Sequence, residues 1–235
     1  MISFKQRSYQ KELMDDLTST GPEMRQTLSE LKQVNRLLGG NKVLTNALSI
    51  LIKRYPQPHY DIADIGCGGG DMARVMSEWA KRNKVSITVH ALDANPNIIN
   101  MAKENLKDLD NVVFHTADVF DASFAGKKLD IVTCTLFTHH FTDEELERMF
   151  KGFRNKAKLG LIINDLHRHP FAYYSIKYIT RIFSKSPMVK NDGPLSVLRS
   201  FKIEDLKRVL KASGWAKYKI KWFWAFRWQV IAFTD

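Results

Sequence analysis

Three acids fall where short apolar runs end. Asp64 stands inside DIADI, Asp93 closes SITVHALD, and Asp118 follows VVFHTA in TADVF. Short, near-continuous apolar runs of this kind read as strands buried in a parallel sheet, which presents its ligands at the strands' carboxyl ends. After Asp64 comes IGCGGGD, in which Gly66, Gly68 and Gly70 permit a tight turn and a close backbone approach. No Lys-Ser/Thr pair follows these glycines, so they are not a triphosphate loop. The third glycine of a dinucleotide fingerprint is replaced by Asp71, a carboxylate where a diphosphate needs positive potential. Asp93 is placed to accept hydrogen bonds from both hydroxyls of a ribose, and Asp118 to accept one from an exocyclic adenine amine. The set suits a nucleoside with a cationic tail and no phosphates.

The elements that must hold these residues alternate. Strands are predicted over 61–65, 86–93, 112–117, 129–136 and 159–166, with helices over 70–82, 97–109 and from TDEE onward. In TDEE, Thr142 and Glu145 have the spacing of a capping box. KYKIKWF and RWQVIAFTD have too little chain between them for a parallel crossover, so they form an antiparallel hairpin. The expected fold class is α/β, a doubly wound, mostly parallel seven-stranded sheet with a terminal antiparallel hairpin and an N-terminal helical cap. The cap is assigned to residues 1–56 and the main domain to 57–235. Residues 8–54 read as helical pieces, one with Met24, Leu28, Leu31, Val34, Leu37 and Leu38 on a single face. Residues 167–200 form a long irregular insertion, expected to be a substrate lid, in which the aromatics of HPFAYYSIKYITRIF repeat at roughly helical spacing and argue for a packed cap.

These segments resemble the class I S-adenosylmethionine-dependent methyltransferases over residues 60–235. DIADIGCGGGD is similar to that family's first motif and ALDANPNIINMAKENL to its second. TADVF resembles the adenine-side acid, and DIVTCTLFTHHFTDEE the segment after strand four. The resemblance implies S-adenosylmethionine as cofactor. Gly66, Gly68 and Gly70 would then pack its methionine part and Asp64 would lie near its amino group. Asp93 would hold the ribose, flanked by Ala94 and Asn95. Asp118 and Val119 would hold adenine, and Thr135 and Leu136 would line the sulfonium side. VNRLLGG, DLHRHP and KNDGPLSVLRSFKIEDL further resemble a bacterial small-molecule branch, often encoded beside type III polyketide synthases and loosely grouped with ubiquinone and menaquinone methylases. That implies a phenolic or quinol acceptor and O-methylation, in secondary metabolism or quinone-type biosynthesis.

Methyl transfer to a phenol needs a base, and histidine is the economical one at neutral pH. His139 and His140 follow strand four and His167 follows strand five, so these three are the catalytic candidates. Asp165 and Arg168 are the candidates for acceptor binding. No clustered set of oxygen ligands is evident, and no metal is expected.

The chain has 235 residues and a formal charge of +11. The excess is confined to residues 151–235, where 18 Lys and Arg face 5 Asp and Glu. A basic face favours an acidic substrate, a phospholipid surface or nucleic acid. The alternation of Lys219, Lys221 and Arg227 with Trp222, Trp224 and Trp228 could serve peripheral membrane contact or single-stranded nucleic acid. A strand pair with one buried and one wet face accounts for it more simply. The alternative function is therefore an RNA or DNA methyltransferase using the basic last third. It is disfavoured because no Asn/Asp-Pro-Pro-Tyr/Phe follows strand four. A non-catalytic S-adenosylmethionine-binding protein is a further alternative, against which the intact acids and the histidines argue. Cys67 and Cys134 lie in or beside predicted strands and do not read as a disulfide framework, which fits a reducing cytoplasm. No N-terminal apolar run resembles a signal peptide, and no run is long enough to span a membrane.

Overall fold

The computed structural model describes residues 2–121 and 129–235. The connection expected after the third strand extends into 122–128, outside the described residues. Seven strands form one sheet in the order β3-β2-β1-β4-β5-β7-β6. They are β1 (Tyr60–Ile65), β2 (Ile87–Asp93), β3 (Val112–Thr116), β4 (Leu129–Thr135), β5 (Ala157–Leu166), β6 (Lys217–Phe223) and β7 (Arg227–Phe233). The first five are parallel, and β7 runs antiparallel to both β5 and β6. The chain order reverses between β1 and β4, the crevice where open α/β sheets bind ligands.

Among the described residues, eight helices accompany the sheet: α1 (Gly21–Leu37), α2 (Gly40–Arg54), α3 (Asp71–Asn83), α4 (Pro96–Asn105), α5 (Asp143–Lys156), α6 (Pro170–Phe183), α7 (Pro187–Arg199) and α8 (Ile203–Ala212). Side-chain alternation along the strands divides the core in two. On one face Ala63, Ile65, Val132, Cys134, Leu161 and Ile163 meet α5 and α8, with Trp215 fully buried among them. On the other, Ile62, Val89, Ile131, Ile162 and Ile231 meet Leu44, Ala47, Leu48 and Leu51 of α2 and Met72, Met76 and Trp79 of α3. Both faces are covered, which is why the central strands read as continuous apolar runs. The Thr142–Glu145 capping box at the start of α5 is formed in both directions. Both cysteines are free and buried.

Three expectations change. Residues 2–20 are an extended strap with one 3-10 turn at Leu13–Asp15, not helix. Their polar side chains are drawn away by partners across the fold: the Arg7 guanidinium donates to Asp143 and to the carbonyls of His139, Phe141 and Arg199. Leu37 is 77% exposed and lies off the apolar face of α1. Residues 167–200 are largely two packed helices, α6 and α7, so the stretch is not irregular and takes the helical form that the spacing of its aromatics indicates. Gly193-Pro194 masks α7 in the sequence. Pro187 opens it behind the Ser186 N-cap, and Gly193 lets it cross α6 against Ile176 and Thr180. In the terminal hairpin β7 is buried along its whole length, while the edge strand β6 is partly exposed.

Candidate functional site

Two adjoining regions form at the carboxyl ends of β1, β2, β4 and β5. The first surrounds the glycine turn. Gly66, Gly68 and Gly70 all have positive φ, of 68°, 52° and 84°. The amides of Gly66 and Cys67 both donate to the Leu92 carbonyl, at 2.9 and 3.0 Å, which ties the turn to β2. A side chain at Gly66 would collide with the Phe137 ring and one at Gly70 with Leu106, so the left-handed backbone and the close packing require glycine together.

Three acids flank this turn. Asp64 is 1% exposed, its Oδ1 3.5 Å from the Thr133 hydroxyl and its Oδ2 without a hydrogen-bond partner among the described residues. Burial pushes its carboxyl up to about 7, reinforced by Asp71 and Asp93. Asp71 is pushed up to about 6 by burial, with Lys32 opposing. Asp93 is raised by burial although the amides of Gly68 and Asn95 donate to its two oxygens at 3.1 and 3.0 Å. An orphaned buried carboxylate oxygen beside two further acids asks for a cationic group. Ala94 is half-buried beside Asp93. The Asn95 side chain caps α4 by accepting from the Asn97 amide, and its own amide donates to the Ser19 carbonyl. Asp118 is exposed and accepts the Phe120 amide, and Val119 packs against the core on the α5 side. Thr135 has a buried hydroxyl with no partner, and Leu136, at φ 51°, turns the chain out of β4.

The second region is a cavity of roughly 350 Å³ on the far side of Leu136, walled mainly by Leu31, Val34, Leu38, Ile176, Val189 and Val197. His139, His140, Glu12, Asp192 and Arg227 supply its polar wall. His139 follows β4 in the turn Thr138–His140. Its Nδ1 lies 2.7 Å from Asp165 Oδ1, while Asp165 Oδ2 accepts from the Thr138 hydroxyl at 2.6 Å and the His139 amide at 3.1 Å. Burial pushes the Asp165 carboxyl up, but His139 and these donors outweigh it and hold it at about 2. The ionised carboxylate therefore fixes the proton on Nδ1 and leaves the Nε2 lone pair free, 3.7 Å from Glu12 Oε1. Glu12 is pushed up to about 7 by burial, against the pull of His140 and Arg199, and its Oε1 has no hydrogen-bond partner among the described residues. His140 Nδ1 is held by Asp15 at 2.6 Å.

Glu12, His139 and His140 are close enough to share a cation. Arg199 already supplies positive charge there, with its Nε 3.6 Å from Glu12 Oε1 and its Nη1 2.7 Å from Asp15.

The other expected residues lie elsewhere. The His167 ring lies tilted against Trp228 outside the cavity, and burial with the nearby cationic groups lowers it to about 4. Arg168 is 1% exposed and spent on Asp205 and the carbonyls of Phe4 and Ser200. Asp165 is fully buried behind His139, where it orients the ring and does not face the cavity. The cation on the cavity wall is Arg227. Burial lowers it to about 10, its Nε has no hydrogen-bond partner among the described residues, and its Nη1 reaches Asn164 at 3.4 Å. Glu12 and Asp15 were not legible as site residues; their one signal was the acidic KELMDD, isolated ahead of the helices. Arg227 stood out only as part of the basic and aromatic alternation of the last strands.

Residues 62–160 match the family model described as a methyltransferase domain. An uncharacterized protein of Methanothermobacter thermautotrophicus is 27% identical over 138 residues, 57% of this chain. The chain spans about half the length of that relative (51%). Among solved structures, the plantazolicin methyltransferase BpumL in complex with SAH aligns at TM-score 0.66 and 14% identity, covering 88% of both chains. Magnesium protoporphyrin IX methyltransferase from Synechocystis PCC 6803 with bound SAH aligns at 0.59 and 18%, covering 84% of both. Human N-acetylserotonin methyltransferase in complex with SAM aligns at 0.64 and 15%, covering 90% of this chain and 55% of the human one. At these identities the structures speak for the fold, and with the matched domain they agree on one assignment: residues 62–160 form a methyltransferase domain, carried on the fold of the class I S-adenosylmethionine-dependent methyltransferases.

Proposed function

We propose that this chain methylates a hydroxyl oxygen of a small aromatic acceptor, a phenol or quinol. The observation that carries the reading is the Asp165–His139 pair, with Nε2 free at the wall of an apolar cavity next to the glycine turn. The residues around that turn fit S-adenosylmethionine. Asp64, with its orphaned oxygen, suits the cofactor's ammonium group, Asp93 with Ala94 and Asn95 the ribose, Asp118 and Val119 the adenine, and Thr135 and Leu136 the methionyl side. When bound, the cofactor supplies a methyl group on a sulfonium that leaves as a neutral thioether.

The chain's own residues position the acceptor and take its proton. A phenol has a pKa of about 10, so little phenolate exists at neutral pH without a base. His139 Nε2 accepts the phenolic proton. The imidazolium that results is stabilised by Asp165, whose carboxylate stays ionised throughout. Arg227, on the cavity wall, is the cationic neighbour for the developing phenolate. His140, held by Asp15, and Glu12 border the same space and shape it.

Transfer of labelled methyl from S-adenosylmethionine to a panel of phenols, quinols and resorcinols tests the reading. Turnover on at least one acceptor is expected, with His139→Ala slowed about a hundredfold or more. If His139→Ala stays within about tenfold of wild type, the proton is taken elsewhere or needs no base.

A further inference from the structure

The outer face of α6 has no partner among the described residues. Phe171, Tyr174, Tyr178 and Ile182 recur at three-to-four spacing along it and are 73%, 45%, 60% and 71% exposed. Ile179 and Phe183 extend the same face, at 42% and 77%. Helices of soluble proteins turn their apolar stripe inward, but this one has a second stripe facing out. Trp222 and Trp224 of the β6–β7 hairpin add two exposed indoles. Ile179 and Trp224 belong both to this surface and to the lining of the cavity, so the exposed apolar groups border the acceptor site.

The charge around the surface has one sign. From Leu166 to Asn191 there is no Asp or Glu, while Lys177, Arg181, Lys185 and Lys190 are present and Arg168 is buried against Asp205. From Leu206 to Thr234 there is again none, and Lys217, Lys219 and Lys221 follow one another along the edge strand. The bounding acids Asp165 and Asp192 are buried. Glu30 is spent on the backbone and hydroxyl donors of Ser184, Lys185 and Ser186. Among the described residues no helix is long and apolar enough to cross a membrane. The combination is an in-plane amphipathic helix: aromatics and isoleucines outermost, cations beside them, and Tyr and Trp where an interface prefers them.

We infer that α6 and the tip of the β6–β7 hairpin form a docking surface for an anionic lipid bilayer. The surface holds the cavity mouth against the membrane, so a lipid-soluble acceptor enters without crossing water. Apolar insertion supplies part of the affinity. The cations Lys177, Arg181, Lys185 and Lys221 supply the preference for anionic lipid.

The test is co-sedimentation of the full chain with vesicles of phosphatidylcholine alone, and of phosphatidylcholine with about one third phosphatidylglycerol, at low and high salt. The chain is expected to pellet with the anionic vesicles and to be partly released by salt. The double variant Tyr178→Ser/Ile182→Ser, outside the cavity lining, should bind about tenfold more weakly or worse. Lys177→Glu/Arg181→Glu should lose the anionic preference. Thermal melting of each variant checks that the fold is intact, and it does not depend on methyl transfer. Wild type that pellets with neither vesicle overturns the inference, as does Tyr178→Ser/Ile182→Ser that pellets like wild type. A dimer that this double variant dissolves, and that vesicles do not compete with, assigns the face to a second copy and overturns it as well.

Discussion

Replacing Asp64 with Asn should stabilise the ligand-free protein while weakening cofactor binding. Asp64 is buried, with one oxygen unpartnered and the other met by the Thr133 hydroxyl only at 3.5 Å. Its carboxyl rises from 3.8 to about 7, chiefly through burial. A group whose folded pKa lies above its unfolded value contributes most stability at low pH. That contribution falls as pH rises between the two values and is gone above the higher one. At about 1.4 kcal/mol per unit, the ionised carboxylate costs the fold roughly 4 kcal/mol above pH 7. Asn removes the charge but must place an amide, which costs about 1–2 kcal/mol where it finds no acceptor. The net gain at pH 8 is therefore about 2–3 kcal/mol, and between pH 5 and pH 8 the advantage of Asn grows by roughly 3 kcal/mol. For a chain of this size that widens the Tm difference by about 5–10 °C, readable by scanning calorimetry. Calorimetric titration with S-adenosylmethionine should show the opposite sign. The wild type binds more tightly as pH rises from about 5.5 to 7 and releases a proton on binding. Asp64→Asn binds about ten- to a hundredfold more weakly at pH 7, because a charge-assisted hydrogen bond to the ammonium is lost. A variant destabilised equally at pH 5 and pH 8, or one that binds the cofactor like wild type, overturns this account of Asp64.

Other substitutions separate the roles around the cavity. Arg227→Met should raise KM for a phenolic acceptor in steady-state assays and leave cofactor affinity unchanged, since the cation lines the acceptor cavity and not the glycine turn. Asp165→Asn should lower kcat about as much as His139→Ala in the same assay, because the ring loses the carboxylate that fixes its tautomer and pairs its positive charge. His167→Ala should leave turnover within about threefold of wild type, as the ring lies outside the cavity and is held neutral. Thr142→Ala removes the α5 cap and should cost about 1 kcal/mol in urea denaturation, without changing kcat.

The glycine-turn half of the candidate site was legible because its determinants are local. The apolar run of β1, the positive-φ glycines and Asp93 lie within 60–93, and a buried parallel strand announces itself by its lack of alternation. The cavity half depends on contacts that no local pattern carries. Glu12 and Asp15 reach His139 and His140 across more than a hundred residues, on a strap whose conformation is set by Arg7 and Asp192. The exchange of Arg168 for Arg227 has the same origin. Reading β5 as a parallel strand places whatever follows it, Arg168 included, at the ligand end. But β7 is antiparallel to β5, so its first residue, Arg227, pairs with Leu166 at the same carboxyl end. Beyond β5, His167 bridges to Phe201, and Arg168 is drawn to Ser200 and Asp205 on the side away from the cavity. The antiparallel hairpin thus closes the sheet and also carries a cation from near the end of the chain to the cavity wall. The same turn exposes Trp224 at the mouth of that site, so the C-terminal basic and aromatic residues divide between cavity wall and molecular surface according to which side of the turn they occupy.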